Sequence, residues 1–281
     1  MAPVKGATKH VDSTSTDHMG GANPPPGISY SLESEHHMSS TSKTALVTGA
    51  TRGIGYETVR GLAQAGVHTL LAGRDRAKAV EAALKLQGEG LPVEAITLDV
   101  TNSESIKAVA ESVAAKYGKL DILVNNAGIL LDDSEKERSA QTLQVWRDTF
   151  DTNVFGVVET TQAFLPLLHK SPAARIVNVS SALGSLGLHS DPASPLGNFK
   201  VPAYNVSKSA VNAWTLQLAH ELKDSNIKVN TVHPGYVKTD MNKGSGDLEI
   251  SEGAETSVAM ALLDEAGPNG TFQYRGEVLP W

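Results

Sequence analysis

From Lys43 onward, short runs of branched and leucine side chains alternate with longer segments whose apolar residues return every three to four positions. The runs are Ala45-Leu46-Val47, His68–Ala72, Ala95–Leu98, Ile122–Val124, Arg175–Val179 and Lys228–Val232. Each has the length and composition of a buried strand. Between them, Tyr56–Ala65, Arg76–Leu86 and Ser103–Lys116 read as helices. Strands that are apolar throughout are covered on both faces, so strict alternation with helices predicts an α/β fold built on a parallel sheet. No internal repeat or linker interrupts residues 43–281, which read as one domain. Residues 1–42 lack any apolar period, are rich in Ser, Thr, Gly, Pro and His, and contain Pro24-Pro25-Pro26-Gly27. They are expected to be a disordered N-terminal extension, and His10, His18, His36 and His37 within it read as a solvated tail.

Composition narrows the function classes. The chain has 281 residues, 40% hydrophobic and 20% charged, with a net charge of -7, as a soluble globular protein would. No basic block is present to attract nucleic acid. No run approaches the ~20 apolar residues of a membrane span, and Met1–His10 lacks a secretory pattern, so a cytoplasmic location is expected. The absence of cysteine excludes disulfides and thiolate chemistry. Asp132, Asp133, Glu135 and Glu137 form a charge run that reads as a solvated face, and no metal is expected.

The first strand is followed at once by Thr48-Gly49-Ala50-Thr51-Arg52-Gly53-Ile54-Gly55, opening a helix with Val59, Leu62 and Ala63 on its inward face. Glycines let backbone approach a pyrophosphate, and the helix start offers free N–H groups. The fold expected is therefore a Rossmann-type doubly wound sheet of about seven strands with helices on both faces. The second strand ends at Ala72-Gly73-Arg74-Asp75. An acidic strand end would hold the ribose 2′-OH of NAD, whereas Arg74 with Arg52 suits a 2′-phosphate, which favours NADP(H). Asp75 would take the ribose instead if the strand ran two residues longer. Near the other end of the chain, Tyr204 and Lys208 share a helix face in Tyr-Asn-Val-Ser-Lys. There the ammonium is expected to lower the phenol's proton affinity.

Further motifs complete the pattern: Asp99 after the third strand, Asn125-Asn126-Ala127-Gly128 after the fourth, Asn153 in the next helix, Ser180-Ser181 after the fifth and Pro234-Gly235 after the sixth. With these, residues 43–281 resemble the single-domain short-chain dehydrogenase/reductase family. The resemblance implies that Tyr204 exchanges a proton with a carbonyl or hydroxyl oxygen that Ser181 also holds. Lys208 lowers the Tyr204 pKa and binds nicotinamide ribose hydroxyls, and Asn153 positions a water that carries protons onward. It implies a cofactor site of Gly49, Thr51, Arg52, Gly53, Ile54, Gly55, Arg74, Asp99, Val100, Asn126, Ala127, Gly128, Tyr204, Lys208, Pro234, Gly235, Val237 and Thr239. Asp99 is the adenine contact, or else the Asp99-Val100-Thr101-Asn102 segment caps the next helix, and Thr239 bonds the carboxamide.

One departure stands out. More residues separate Ser181 from Tyr204 than the family commonly has, and the extra segment within Ala182–Ala203 carries Pro192, Pro195, Pro202 and three glycines. It reads as an irregular loop over the site. An enlarged segment here resembles the NADPH-dependent carbonyl reductases of the family. The short Lys238–Ile250 stretch offers little material for a lid, so an open pocket and broad carbonyl substrates are expected. An NAD-linked alcohol dehydrogenase, a non-catalytic NADP sensor and a scaffold working through its tail are the alternatives. The association state stays open among monomer, homodimer and homotetramer.

Overall fold

The computed structural model describes residues 42–281, so the expectation of disorder for residues 1–42 lies almost wholly outside the described residues. Six strands stand where the apolar runs predict them: β1 (Thr44–Val47), β2 (His68–Gly73), β3 (Val93–Thr97), β4 (Ile122–Asn125), β5 (Arg175–Val179) and β6 (Lys228–Val232). They alternate with α1 (Gly53–Gln64), α2 (Arg76–Gly88), α3 (Ser103–Tyr117), α4 (Leu143–Phe150), α5 (Gly156–Leu168), the five-residue α6 (Leu186–Ser190), α7 (Pro202–Glu221) and α8 (Ile250–Ala261). Two further strands, β7 (Phe272–Tyr274) and β8 (Glu277–Val278), complete one sheet in the order β3-β2-β1-β4-β5-β6-β7-β8.

β8 is antiparallel to β7, while every other neighbouring pair is parallel. The sheet thus has eight strands, one more than the approximate number expected. The eighth is two exposed residues returning through Arg275 and Gly276, both at positive φ as tight hairpin turns require, and it carries no apolar signal. Strand order reverses at β1, so a crevice opens between the loops after β1 and β4, where doubly wound sheets bind ligands.

Alternation along each strand divides the core. Ala45, Val47, Leu71 and Val124 pack with Val59, Leu62 and Ala63 of α1 on one face. Leu46, Leu70, Leu123, Ile176 and Val229 pack with Phe164 of α5 and Leu218 of α7 on the other. Each fully buried aliphatic side chain contributes about 1.5–3 kcal/mol.

On the second face a row of polar side chains crosses the strand ends. Asn125 is in register with Asn178, and Asn178 with Thr231. Asn125 Nδ2 donates to Asn178 Oδ1 at 2.8 Å and to Thr161 Oγ1 of α5 at 3.0 Å. Asn178 Nδ2 donates to Thr215 Oγ1 of α7 at 2.9 Å, and Thr231 Oγ1 donates to the same oxygen at 2.8 Å. All five residues are buried. A buried polar row is stable only when its members find partners, and here those partners tie α5 and α7 to fixed positions on β4, β5 and β6.

Candidate active site

At one end of the crevice lies the glycine turn. Gly49 and Gly53 adopt left-handed φ of 63° and 62°, which other residues reach only with strain. Gly55 serves a different need, since a Cβ there would collide with the Asn126 side chain. Asn126 Nδ2 donates to the carbonyls of Thr48 and Gly49 at 2.8 and 3.2 Å, and the N–H groups of Asn126 and Ala127 both donate to Thr48 Oγ1 at 3.0 Å. The loop after β4 is thereby stitched to the turn after β1. α2, α3 and α4 are capped by Asp75, Asn102 and Thr142, whereas Arg52 gives α1 no side-chain cap. The first N–H groups of α1 therefore face the crevice without a side-chain partner, as an anion site requires.

β2 ends at Gly73, where a Cβ would collide with Thr51. Close approach of the glycine turn thus explains why no acidic side chain ends this strand. Asp75 is committed to α2, its carboxylate accepting from Lys78 N at 3.2 Å. Arg52, Arg74 and Lys78 line a cleft of about 620 Å³. Lys78, which no sequence motif singles out, joins the two arginines from the first turn of α2. Arg52 also spans the cleft, its guanidinium 2.8 Å from Asp240 on the segment after β6. Lys238–Ile250 is therefore tied down, through this pair and through the pairing of Val237 with Leu248. Thr239 Oγ1 donates to Asn242 Oδ1 at 3.3 Å, closing a local turn. Gly235 has φ 90° beneath Leu248 and Tyr274. Asp99 accepts from Thr101 N and Oγ1 at 3.0 and 2.7 Å, and Asn102, at the end of the Asp99–Asn102 segment, caps α3.

At the other end, Ser181, Tyr204, Lys208 and Asn153 come together, none more than 9% exposed. Asn153 lies on a π-helical turn, Asp151–Phe155, between α4 and α5. Such turns widen a helix by one residue and often mark functional sites. Its Oδ1 accepts from Ile129 N at 2.8 Å, and its Nδ2 donates to Ile129 O at 2.9 Å and Ser207 Oγ at 3.0 Å. Both amide protons are thus used to hold protein, leaving one lone pair of Oδ1 for the expected water. A methyl group on Gly128 would touch both Asn153 Oδ1 and Lys208 Nζ, at 3.5 and 3.4 Å. Lys208 Nζ donates to Val179 O at 2.8 Å and lies 5.6 Å from the centre of the Tyr204 ring. Ser180 Oγ turns away to Lys208 O at 3.3 Å, while Ser181 Oγ accepts from Leu183 N at 3.2 Å and lies close enough to the Tyr204 phenol to lower its proton affinity.

Burial has the largest influence on both proton affinities. Loss of hydration pushes the Tyr204 phenol up to about 12, opposed by the Ser181 hydrogen bond. The same loss pushes Lys208 down to about 8. Two groups withdrawn from water each favour their neutral form. The protein alone thus holds a firmly protonated phenol beside an amine that gives up its charge near neutrality. Behind them, burial takes His233 down to about 4, and its Nδ1 accepts the Ala182 N–H at 3.2 Å. The neutral ring steadies the backbone next to Ser181.

The segment between Ser181 and Tyr204 is more ordered than the irregular loop expected. It comprises turns at Ala182–Gly184 and Pro195–Asn198 and the short α6, with Ser181, Ser185 and Ser194 accepting the N–H groups of Leu183, Leu188 and Leu196. Gly184 packs so closely on α7 that a Cβ would stand 2.7 Å from the Lys208 backbone. The acidic run is not a uniformly solvated face either. Asp132 is 9% exposed and accepts from the first turn of α7, while Asp133 and Glu137 pair with Lys136 and Lys200. Among the described residues, no group of three or more His, Asp or Glu is arranged to hold a metal, and no helix is long and apolar enough to cross a membrane.

The chain is similar in sequence and fold to known proteins. Residues 43–249 match the family described as short chain dehydrogenase. The chain is 34% identical to a (+)-neomenthol dehydrogenase of Capsicum annuum, over 85% of this chain and 97% of that protein. It is 33% identical to carbonyl reductase (NADPH) 1 of Mus musculus, over 87% and 100%. Among solved structures, an NADPH-bound carbonyl reductase from chicken fatty liver superimposes with a TM-score of 0.75 at 29% identity, covering 85% of this chain and 99% of that one. Salutaridine reductase from Papaver somniferum gives 0.71 at 32%, covering 82% and 99%. With a family match over most of its length, the chain belongs to the short-chain dehydrogenase/reductase family of oxidoreductases.

Proposed function

We propose that the protein reduces a ketone or aldehyde to the alcohol with NADPH, reversibly, as a carbonyl reductase. The observation that carries this reading is the buried set Asn153, Ser181, Tyr204 and Lys208 at the strand ends that also carry the glycine turn. The residues fit the cofactor. The uncapped start of α1 suits a pyrophosphate, and Arg52, Arg74 and Lys78 around the cleft suit a 2′-phosphate. The commitment of Asp75 to α2 disfavours the NAD-linked alternative. A relative named as an NADPH carbonyl reductase supports the same direction, and one named (+)-neomenthol dehydrogenase fits the reverse of the same reaction.

When bound, the cofactor supplies the hydride. Tyr204 gives its phenolic proton to the carbonyl oxygen as negative charge develops there, and Ser181 donates a hydrogen bond to the same atom. Lys208 returns a proton to Tyr204, a task suited to a group that titrates near pH 8. Exposed Leu131, Phe199, Tyr236 and Met241 lie in segments after β4, β5 and β6, which favours an apolar carbonyl compound as substrate.

A panel of apolar ketones and aldehydes, followed by loss of NADPH absorbance, tests the reading. Turnover is expected with at least one, and Tyr204→Phe should keep NADPH binding while kcat falls about 10³-fold. Equal turnover by both proteins would remove Tyr204 from the chemistry, and NADPH binding without any turnover would favour a sensor.

A further inference from the structure

α7 carries Tyr204 and Lys208, yet its first turn has no cap of its own. Val201, at the capping position, contributes no side-chain bond. Pro202 has no N–H, and Asn205 N reaches back to Val201 O at 2.9 Å. Two donors remain, Ala203 N and Tyr204 N, and such orphans require partners. Asp132 takes both, Oδ1 from Ala203 at 2.8 Å and Oδ2 from Tyr204 at 3.0 Å.

This carboxylate comes from the loop after β4, 71 positions before Ala203. The loop is fixed on either side of it. Asn153 clamps the backbone of Ile129 through the bonds described above, and Gln141 does the same for Asp133, at 3.1 and 2.7 Å. At its other end, the Tyr204 carbonyl accepts from Ser207 Oγ at 2.7 Å, and that hydroxyl accepts from Asn153 Nδ2. Tyr204 is therefore gripped at N–H and C=O by two routes that both lead back to Asn153. A carboxylate suits the first grip, since its two oxygens meet two diverging N–H groups and its charge complements the helix start.

We propose that Asp132 is a positioning residue for carbonyl reduction, setting the depth and rotation of the first turn of α7 and hence where the Tyr204 phenol stands relative to Ser181. The inference rests on the reading of Tyr204 as proton donor. Asn at this position keeps one acceptor but turns an amide NH₂ toward the second donor, and Ala offers none. Misplacement by about 1 Å can cost about 100-fold in rate.

The test compares Asp132→Asn, Asp132→Ala and, as a control on the same loop, Glu137→Gln. It measures kcat, NADPH dissociation constant by fluorescence titration, and the isotope effect on kcat with NADPH deuterated at the transferred position. Expected are kcat losses of about 10-fold for Asn and about 100-fold for Ala, NADPH affinity within about threefold, a raised isotope effect in both, and an unchanged control. A kcat within about twofold of the parent in either Asp132 variant, or a loss of kcat in step with NADPH affinity, overturns the proposal. Should the Ala variant not fold, the isosteric Asn variant decides alone. Tyr204→Phe in the same assay separates the two readings. If it stays active, the proton-donor assignment fails; if it is inactive while Asp132→Ala keeps full kcat, only the role of Asp132 fails.

Discussion

The two ends of the crevice are built on opposite principles. At the cleft end, Arg52 and Asp240 face each other with side chains 76% and 73% exposed, beside Arg74 and Lys78 on an open surface. At the reaction end, Asn153, Ser181, Tyr204 and Lys208 are nearly sealed. Charges in water are screened, and each exposed pair is worth about 0–1 kcal/mol, so the first end recognises by adding modest contributions. Burial at the second end moves Tyr204 up to about 12 and Lys208 down to about 8, so its groups act by altered proton affinity. On the proposed function, the first end selects a ligand and the second changes one.

Breaking the buried end should have the larger effect. Lys208→Met is expected to lower kcat/KM for reduction about 100-fold. In the parent, reduction should weaken as pH rises through about 8, where Lys208 loses its charge; a pH–rate profile of the variant should lack that limb. His233 tests the same end through stability. Its folded value of about 4 lies below the ordinary 6.5, so its contribution is complete above pH 6.5 and is lost as pH falls toward 4. His233→Asn should flatten the fall of Tm across that window, a difference on the order of 3 kcal/mol in the parent. At the exposed end, Arg74→Ala should lower kcat/KM about 30-fold with NADPH and leave NADH unchanged. Equal losses with both cofactors would break the division between recognition and chemistry. The smallest change belongs to Asp240→Asn, which releases Arg52. KM for NADPH should fall about two- to threefold at low salt, and the gain should vanish as ionic strength rises.

The same division decides what could be read from the chain. The runs read for β5 and β6 coincide with the strands residue for residue, because branched side chains such as Ile176, Val177, Val179, Val229 and Val232 suit a buried, pleated surface even where polar residues stand between them. The glycine turn and the Tyr204–Lys208 spacing are local patterns, legible without the fold. Asp132 was misread as solvated because its partners lie 71 and 72 positions away, beyond any periodic signal. The order within Ala182–Ala203 was hidden for a related reason: serine hydroxyls capping turns resemble ordinary loop composition until the backbone is seen. The extra residue that bulges the helix at Asn153 left no mark, since a π-helical turn uses the same side chains as an α-helix.

The polar row from Asn125 to Thr231 bears on how this protein could change. It anchors α5 and α7 from inside the sheet, through side chains that are buried from solvent. Loop length over the site can therefore vary while the proton donor keeps its place. On the proposed function, exchanging parts of Leu186–Val201 is expected to change which carbonyl compounds are accepted without rebuilding the residues beneath.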